Sequence, residues 1–135
     1  MAKKVSNESK IPLELVVLPE EARLRLQKRI TKGYEIKEMP ISSVEDLDTT
    51  KRSYYTWNDY NEALLKKLFT SEELSEEYIQ GLGFAIIGGR EPPLREKIKD
   101  LHDDVDSKIH RLDSIIERIE LISVSSSVQK NERKS

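Results

Sequence analysis

The segment from Leu94 to Ile122 constrains this chain more than any other. Leu94, Ile98, Leu101, Val105, Leu112, Ile115, Ile119 and Ile122 recur at spacings of three and four. They make an apolar seam about four heptads long, interrupted only by Lys108. A continuous helix over this span is about 43 Å long. Ile109 and Ile116 lie beside the seam and widen it, which suits a bundle helix or a higher oligomer better than a two-stranded coil. Such a stripe must be covered by another helix, so it speaks of packing or assembly rather than of chemistry.

The composition fits that picture. Hydrophobic and charged residues each make up 36% of the 135 residues, which suits helices with one apolar stripe and a wide solvated face. The net charge of -2 gives no bulk attraction to nucleic acid or to an anionic membrane. There is no cysteine, so disulfides, thiol nucleophiles and thiolate metal sites are all excluded. The longest early apolar run, IPLELVVLP, has nine residues and is too short to span a bilayer. These features point to a soluble cytoplasmic chain.

Three further helices are predicted upstream of the seam. Residues 1–18 read as a flexible or extended N-terminal segment, with Leu13 to Val17 strand-like; Pro12 argues against a central strand. Pro19, Glu20 and Glu21 open a first helix that runs to about Lys37. It turns Ala22, Leu26, Ile30 and Tyr34 inward. Gly33 inside it implies a close neighbour or a break. Ser42 with Glu45 and Ser43 with Asp46 form capping-box pairs for a second, aromatic helix. Its stripe is Val44, Leu47, Tyr54, Trp57, Leu64, Leu65, Leu68 and Phe69. Thr70 with Glu73 repeats the capping pattern and opens a short third helix through Leu74 and Tyr78. The Gly/Pro-rich stretch from Gly81 to Pro93 is a connector, in which Phe84 to Ile87 could pair with Leu13 to Val17. From Ser123 the chain holds five serines in thirteen residues and reads as a flexible linker or tail.

The candidate sites carry little chemistry. GLGFAIIGGR lacks the Gly-Lys-Ser/Thr ending of a nucleotide loop and leads into two prolines, so it reads as a connector. His102, Asp103, Asp104 and Asp106 offer at most two metal ligands per helix face. They read better as a charged face, with Asp104–Lys108 and Asp106–His110 as i,i+4 partners. Tyr54, Tyr55, Trp57 and Tyr60 lack an interleaved basic cluster, so core packing is favoured over base stacking. Tyr55 and Tyr60 lie off the main stripe and are the better contact residues. Lys108 either sets the register of an oligomer or snorkels at a bundle edge. No catalytic constellation, metal or cofactor site is expected.

Several stretches resemble one another's counterparts in a known family. LQKRITKGYEI, YTWNDYNEALLKKLFTSEELSEEYIQG, FAIIGGREPP and IHRLDSIIERIELI together resemble the helical N-terminal region of bacterial predicted nucleotide-binding proteins that carry a TIR-like domain. The resemblance covers about Leu24 to Ile122. It implies a region that leads through a polar linker into a TIR-like domain, in proteins associated with phage defence. No α/β segment is present in this chain, so the resemblance implies nucleotide chemistry outside these residues. The chain reads as either a fragment or a stand-alone relative of the helical part.

The expectation is therefore an all-α helical bundle over residues 19–122, with a long C-terminal coiled-coil-like helix packed on the second helix. Its expected function is non-enzymatic oligomerisation or sensing for a TIR-like effector domain. The alternative is a stand-alone helical partner of the inhibitor or antitoxin type. Self-association or another protein is the expected partner, with no nucleic acid and no membrane. Ile98, Leu101, Val105, Leu112 and Ile119 are the expected assembly residues, and Tyr55, Trp57 and Tyr60 a second contact surface.

Overall fold

The computed structural model describes residues 11–80 and 91–128. Among the described residues the helices are, in order, α1 Pro19–Lys37, α2 Val44–Leu68, α3 Glu73–Ile79 and α4 Leu94–Arg118. A short 3-10 turn, Ile119–Leu121, continues α4. The fold is all-α, and no named strand occurs among the described residues.

Local chemistry explains the helix ends. Pro19 opens α1 where a missing N–H costs nothing, and Glu20 and Glu21 meet the positive end of the helix dipole. At α2, Ser43 is the N-cap, and its Oγ accepts from the Asp46 N–H at 3.1 Å. Asp46 Oδ2 in return accepts from the Ser42 N–H at 3.0 Å. These bonds from Ser42 hold the Asp46 carboxyl below its usual pKa. The cap expected of Thr70 does not form: Glu72 is the N-cap of α3 and makes no side-chain cap bond, while Ser71 Oγ accepts from the Glu73 N–H at 3.0 Å.

Thr70 has another task. Its Oγ1 accepts from the Glu14 N–H at 2.8 Å and donates to the Pro12 carbonyl at 2.6 Å. Around it, residues 12–17 run extended between the α2–α3 junction and the chain that follows α4. Leu15 bridges antiparallel to Phe69 and parallel to Val124. The Leu15 N–H donates to Ser123 O and the Ser125 N–H to Leu15 O, both at 2.8 Å. The pairing suggested between Leu13–Val17 and Phe84–Ile87 lies outside the described residues; within them Leu15 bridges Phe69 and Val124. One expectation is corrected here. Residues 123–125 are pinned to the core rather than free, because Leu15 is fully buried and its N–H and C=O need partners.

The long helix also has a different neighbour from the one expected. α4 packs chiefly on α1, with α2 and α3 in lesser contact. Gly33 of α1 faces Ile109 of α4, and Lys37 pairs with Asp106 at 2.6 Å, so α1 and α4 run antiparallel. The inward face of α1 is Ala22, Leu26, Ile30, Gly33 and Ile36. Tyr34 stands out at 49% exposure, because the 3.6-residue period places Gly33 rather than Tyr34 beneath α4. Val44 is exposed as well, being the first residue of α2.

Gly33 resolves its own ambiguity without a break in α1. A Cβ there would stand 2.7 Å from Cζ2 of Trp57 and 3.0 Å from Cδ1 of Ile109. Trp57 cannot retreat readily, because it is 2% exposed and its Nε1–H donates to the Arg29 carbonyl at 2.8 Å. Gly33→Ala should therefore destabilise the fold by about 1–2 kcal/mol, since overpacking outweighs the gain in helix propensity. Urea denaturation measures this, and a raised midpoint would contradict the close packing of the three helices.

Candidate functional site

The expected assembly residues are placed inside the chain's own core. Leu101 is 4% exposed, and Val105, Leu112 and Ile119 are fully buried. Ile98 is half-buried and packs against the same cluster. The seam is thus consumed by α1 and its neighbours, which corrects its reading as an oligomer interface. Trp57 is likewise core, whereas Tyr55 and Tyr60 are 56% and 50% exposed.

Lys108 interrupts the seam for a local reason. Its Nζ donates to the Tyr78 carbonyl at 2.8 Å and lies 4.6 Å from the centre of the Tyr78 ring. Arg111 Nη1 donates to the carbonyls of Glu77, Tyr78 and Gln80. Two cations of α4 therefore satisfy the free carbonyls at the end of α3, where the helix dipole also favours positive charge. Burial lowers the Lys108 pKa, and Arg111 nearby lowers it further.

The expected charge pairs of α4 are also redistributed. Asp106 pairs with Lys37, and Asp103 with Lys99 at 2.9 Å. The Nε2 atom of His102 is buried without a hydrogen-bond partner among the described residues. Among those residues no group of three or more His, Asp or Glu side chains could hold a metal. The glycine-rich stretch GLGFAIIGGR lies outside the described residues.

A feature that the sequence reading missed begins with a buried amide. Asn61 is fully buried on the inner face of α2. Its Oδ1 accepts from Arg29 Nε at 2.7 Å, and its Nδ2 donates to the Tyr78 hydroxyl at 2.8 Å. That hydroxyl donates onward to Asn58 Oδ1 at 2.7 Å. The amide orientation is forced, since a guanidinium can only donate. The signal was present: Asn61 is four residues past Trp57 and three before Leu64, so a polar residue sits in the apolar stripe.

Arg29 is fixed from two sides. Asn61 holds its Nε, and its guanidinium carbon lies 4.1 Å from the centre of the Tyr60 ring. Burial lowers its pKa from the usual value, yet a guanidinium stays protonated. Its terminal nitrogens have no hydrogen-bond partner among the described residues, and the residue lines an open groove between α1 and α2. Arg29, Lys32, Arg52, Ser53, Thr56, Trp57 and Tyr60 line a volume of about 470 Å³. Three cations and three hydroxyls, those of Ser53, Thr56 and Tyr60, meet there, with no carboxylate in the lining among the described residues. The 3.7 Å contact between Lys32 and Glu35 is exposed, so it ties up little of the lysine's charge.

A second depression, of about 390 Å³, joins α2 to α4. Its lining mixes Lys51 and Lys97 with Glu91, Asp100 and Asp104, beside Tyr54 and Tyr55. Lys97 is already paired with Glu91. Burial, with Asp100 and Asp103, raises the Asp104 pKa. Two lysines thus stand against three carboxylates, so charges of both signs largely offset one another.

Comparison with protein families, with curated proteins and with solved structures finds no match. No described helix is long and apolar enough to cross a membrane.

The buried phenols give a pH signature. Burial, and then the charge of Asp104, pushes the Tyr54 hydroxyl from 10.0 up to about 12. Burial raises Tyr78 as well, against a smaller opposing effect of the Asn61 bond. A phenol whose folded pKa is raised contributes stability that is complete below its unfolded pKa and is lost as pH rises through the folded one. Denaturant midpoints should hold up to about pH 10 and fall between there and about pH 12. Tyr54→Phe should flatten part of that fall, and an unchanged slope would contradict the assignment.

Proposed function

We propose that this chain is a non-enzymatic helical sensing module that recognises an anionic ligand in the α1–α2 groove and serves a TIR-like effector domain in bacterial phage defence. The effector association rests on the resemblance of the stretch from about Leu24 to Ile122. The sensing role rests on one observation: the Arg29 guanidinium is held by Asn61 and Tyr60, and its terminal nitrogens have no hydrogen-bond partner among the described residues. Core stability alone does not call for such an arrangement. A cation half-withdrawn from water costs free energy, and a preorganised, unpaired fork is what binding an oxyanion requires.

Seam-driven oligomerisation is not part of this reading, because the seam is already covered. A second reading, a stand-alone partner of another protein, draws on the exposed Tyr55 and Tyr60. The two readings differ over whether the groove binds a small anion by itself.

Light scattering behind size exclusion should show a monomer at all concentrations. Leu112→Glu should unfold the chain, because the substitution would place a charge at a fully buried position. A dimer that Leu112→Glu splits into folded monomers would restore the assembly role. In a thermal-shift series at constant ionic strength, citrate or pyrophosphate should raise the melting temperature. No shift with either would overturn the anionic-ligand reading.

A further inference from the structure

The α1–α2 groove holds more donors than a single carboxylate can use. A carboxylate has one charge and two oxygens, and the fork of Arg29 alone can satisfy it. Lys32 and Arg52 would then face a neutralised site, and the hydroxyls of Ser53 and Thr56 would have nothing to bind. A phosphate group carries a charge of about -2 near neutral pH and three acceptor oxygens. A diphosphate carries more of both. Three cations and the hydroxyls of Ser53, Thr56 and Tyr60 around one space match that demand in charge and in donor count.

The cations come from both walls, Arg29 and Lys32 from α1 and Arg52 from α2. An anion between them is therefore approached from two sides. The volume of about 470 Å³ also exceeds what a bare phosphate fills, and it lies within the usual range of small-molecule pockets. Tyr60 supplies apolar surface beside the cations, and the buried Trp57 underlies the groove. Space and apolar lining next to an oxyanion locus describe a site for a phosphate with an organic substituent.

We propose that the groove binds a phosphorylated small molecule, its phosphate or diphosphate held by Arg29, Lys32 and Arg52 with Ser53 and Thr56. This rests on the anionic-ligand reading above and narrows it to one chemical class. Arg29 is the anchor, because it alone of the three cations is fixed by a buried side chain. Arg52 is exposed and acts as the cation of the facing wall. The Thr56 hydroxyl, one helical turn beyond it, supplies a neutral donor.

Trp57 is the only tryptophan of the chain and lines the groove, so its emission reports on occupancy. The test titrates the whole chain with pyrophosphate, inorganic phosphate and citrate at constant ionic strength, by emission and by calorimetry in parallel. Pyrophosphate should saturate at the lowest concentration, ahead of phosphate and citrate. Arg52→Gln should weaken it about tenfold, the loss expected for one charge-assisted contact. Thr56→Val should weaken it by less. Both residues are exposed, so both variants keep the fold. Lys67→Gln, an equal loss of charge away from the groove, should leave the affinity unchanged. Arg29→Lys, which keeps the charge but loses the planar fork, should abolish the preference for pyrophosphate over citrate.

Citrate binding as well as or better than pyrophosphate would overturn the phosphate assignment and leave the anionic-ligand reading standing. No heat and no emission change with any of the three would overturn both. Equal weakening by Lys67→Gln and Arg52→Gln would show bulk charge rather than a site, and would also overturn the proposal.

Discussion

Trp57 occupies the place where α1, α2 and α4 meet, and the rest of the bundle is arranged around the space it takes. Its ring presses on Gly33 where a Cβ would not fit, and Ile109 of α4 closes the same gap from the other side. The indole N–H is tied to the Arg29 carbonyl, so the ring keeps one position against α1. A large side chain opposite a residue without one lets helix backbones approach closely. The seam of α4 then finds its cover on α1.

The same contact brings a polar chain into the core. One turn along α2 from Trp57, Asn61 must find partners for both ends of its amide, because a buried amide left unpaired is costly. Arg29 supplies one and Tyr78 the other. The helix α3 is thereby tied to α1 through α2. Lys108 and Arg111 hold the end of α3 from the side of α4. A short helix of seven residues, which would not persist alone in water, is fixed by bonds to two neighbours, α2 and α4. The groove at the outer edge of this network inherits its rigidity. Arg29 is at once the end of the buried chain and the floor of the open surface.

The extended segment before α1 closes the fold at its other end. Thr70 and Leu15 join the N-terminal stretch to the α2–α3 corner and to the residues after α4. The clasp consists of isolated bridges rather than a sheet. Pro12 lies outside the two bridges, so its missing N–H leaves no gap in them. Two regions remote in sequence, near Leu15 and near Val124, are thus held side by side, although each is too short to signal its partner alone.

What the sequence determined by itself is local. Pro19, the Ser43–Asp46 pair and the spacing of apolar residues set where α1, α2 and α4 begin and which faces they bury, because caps and periodicity act within a few residues. Tyr54 was legible as core, and Tyr55 and Tyr60 as lying off the stripe, for the same reason; Trp57 lay on the stripe yet was expected to form a contact surface, and it is buried. What only the tertiary structure decided is pairing. A heptad seam specifies that it must be covered but not by which helix, since a foreign copy and the chain's own α1 offer the same kind of apolar surface. The position of Asn61 in the stripe marked a buried polar group. That Arg29 and Tyr78, 32 and 17 residues away, would be its partners depended on helices crossing at Trp57. The groove was illegible for that reason: its cations are scattered over two helices, and they form a site only once α1 and α2 lie against each other.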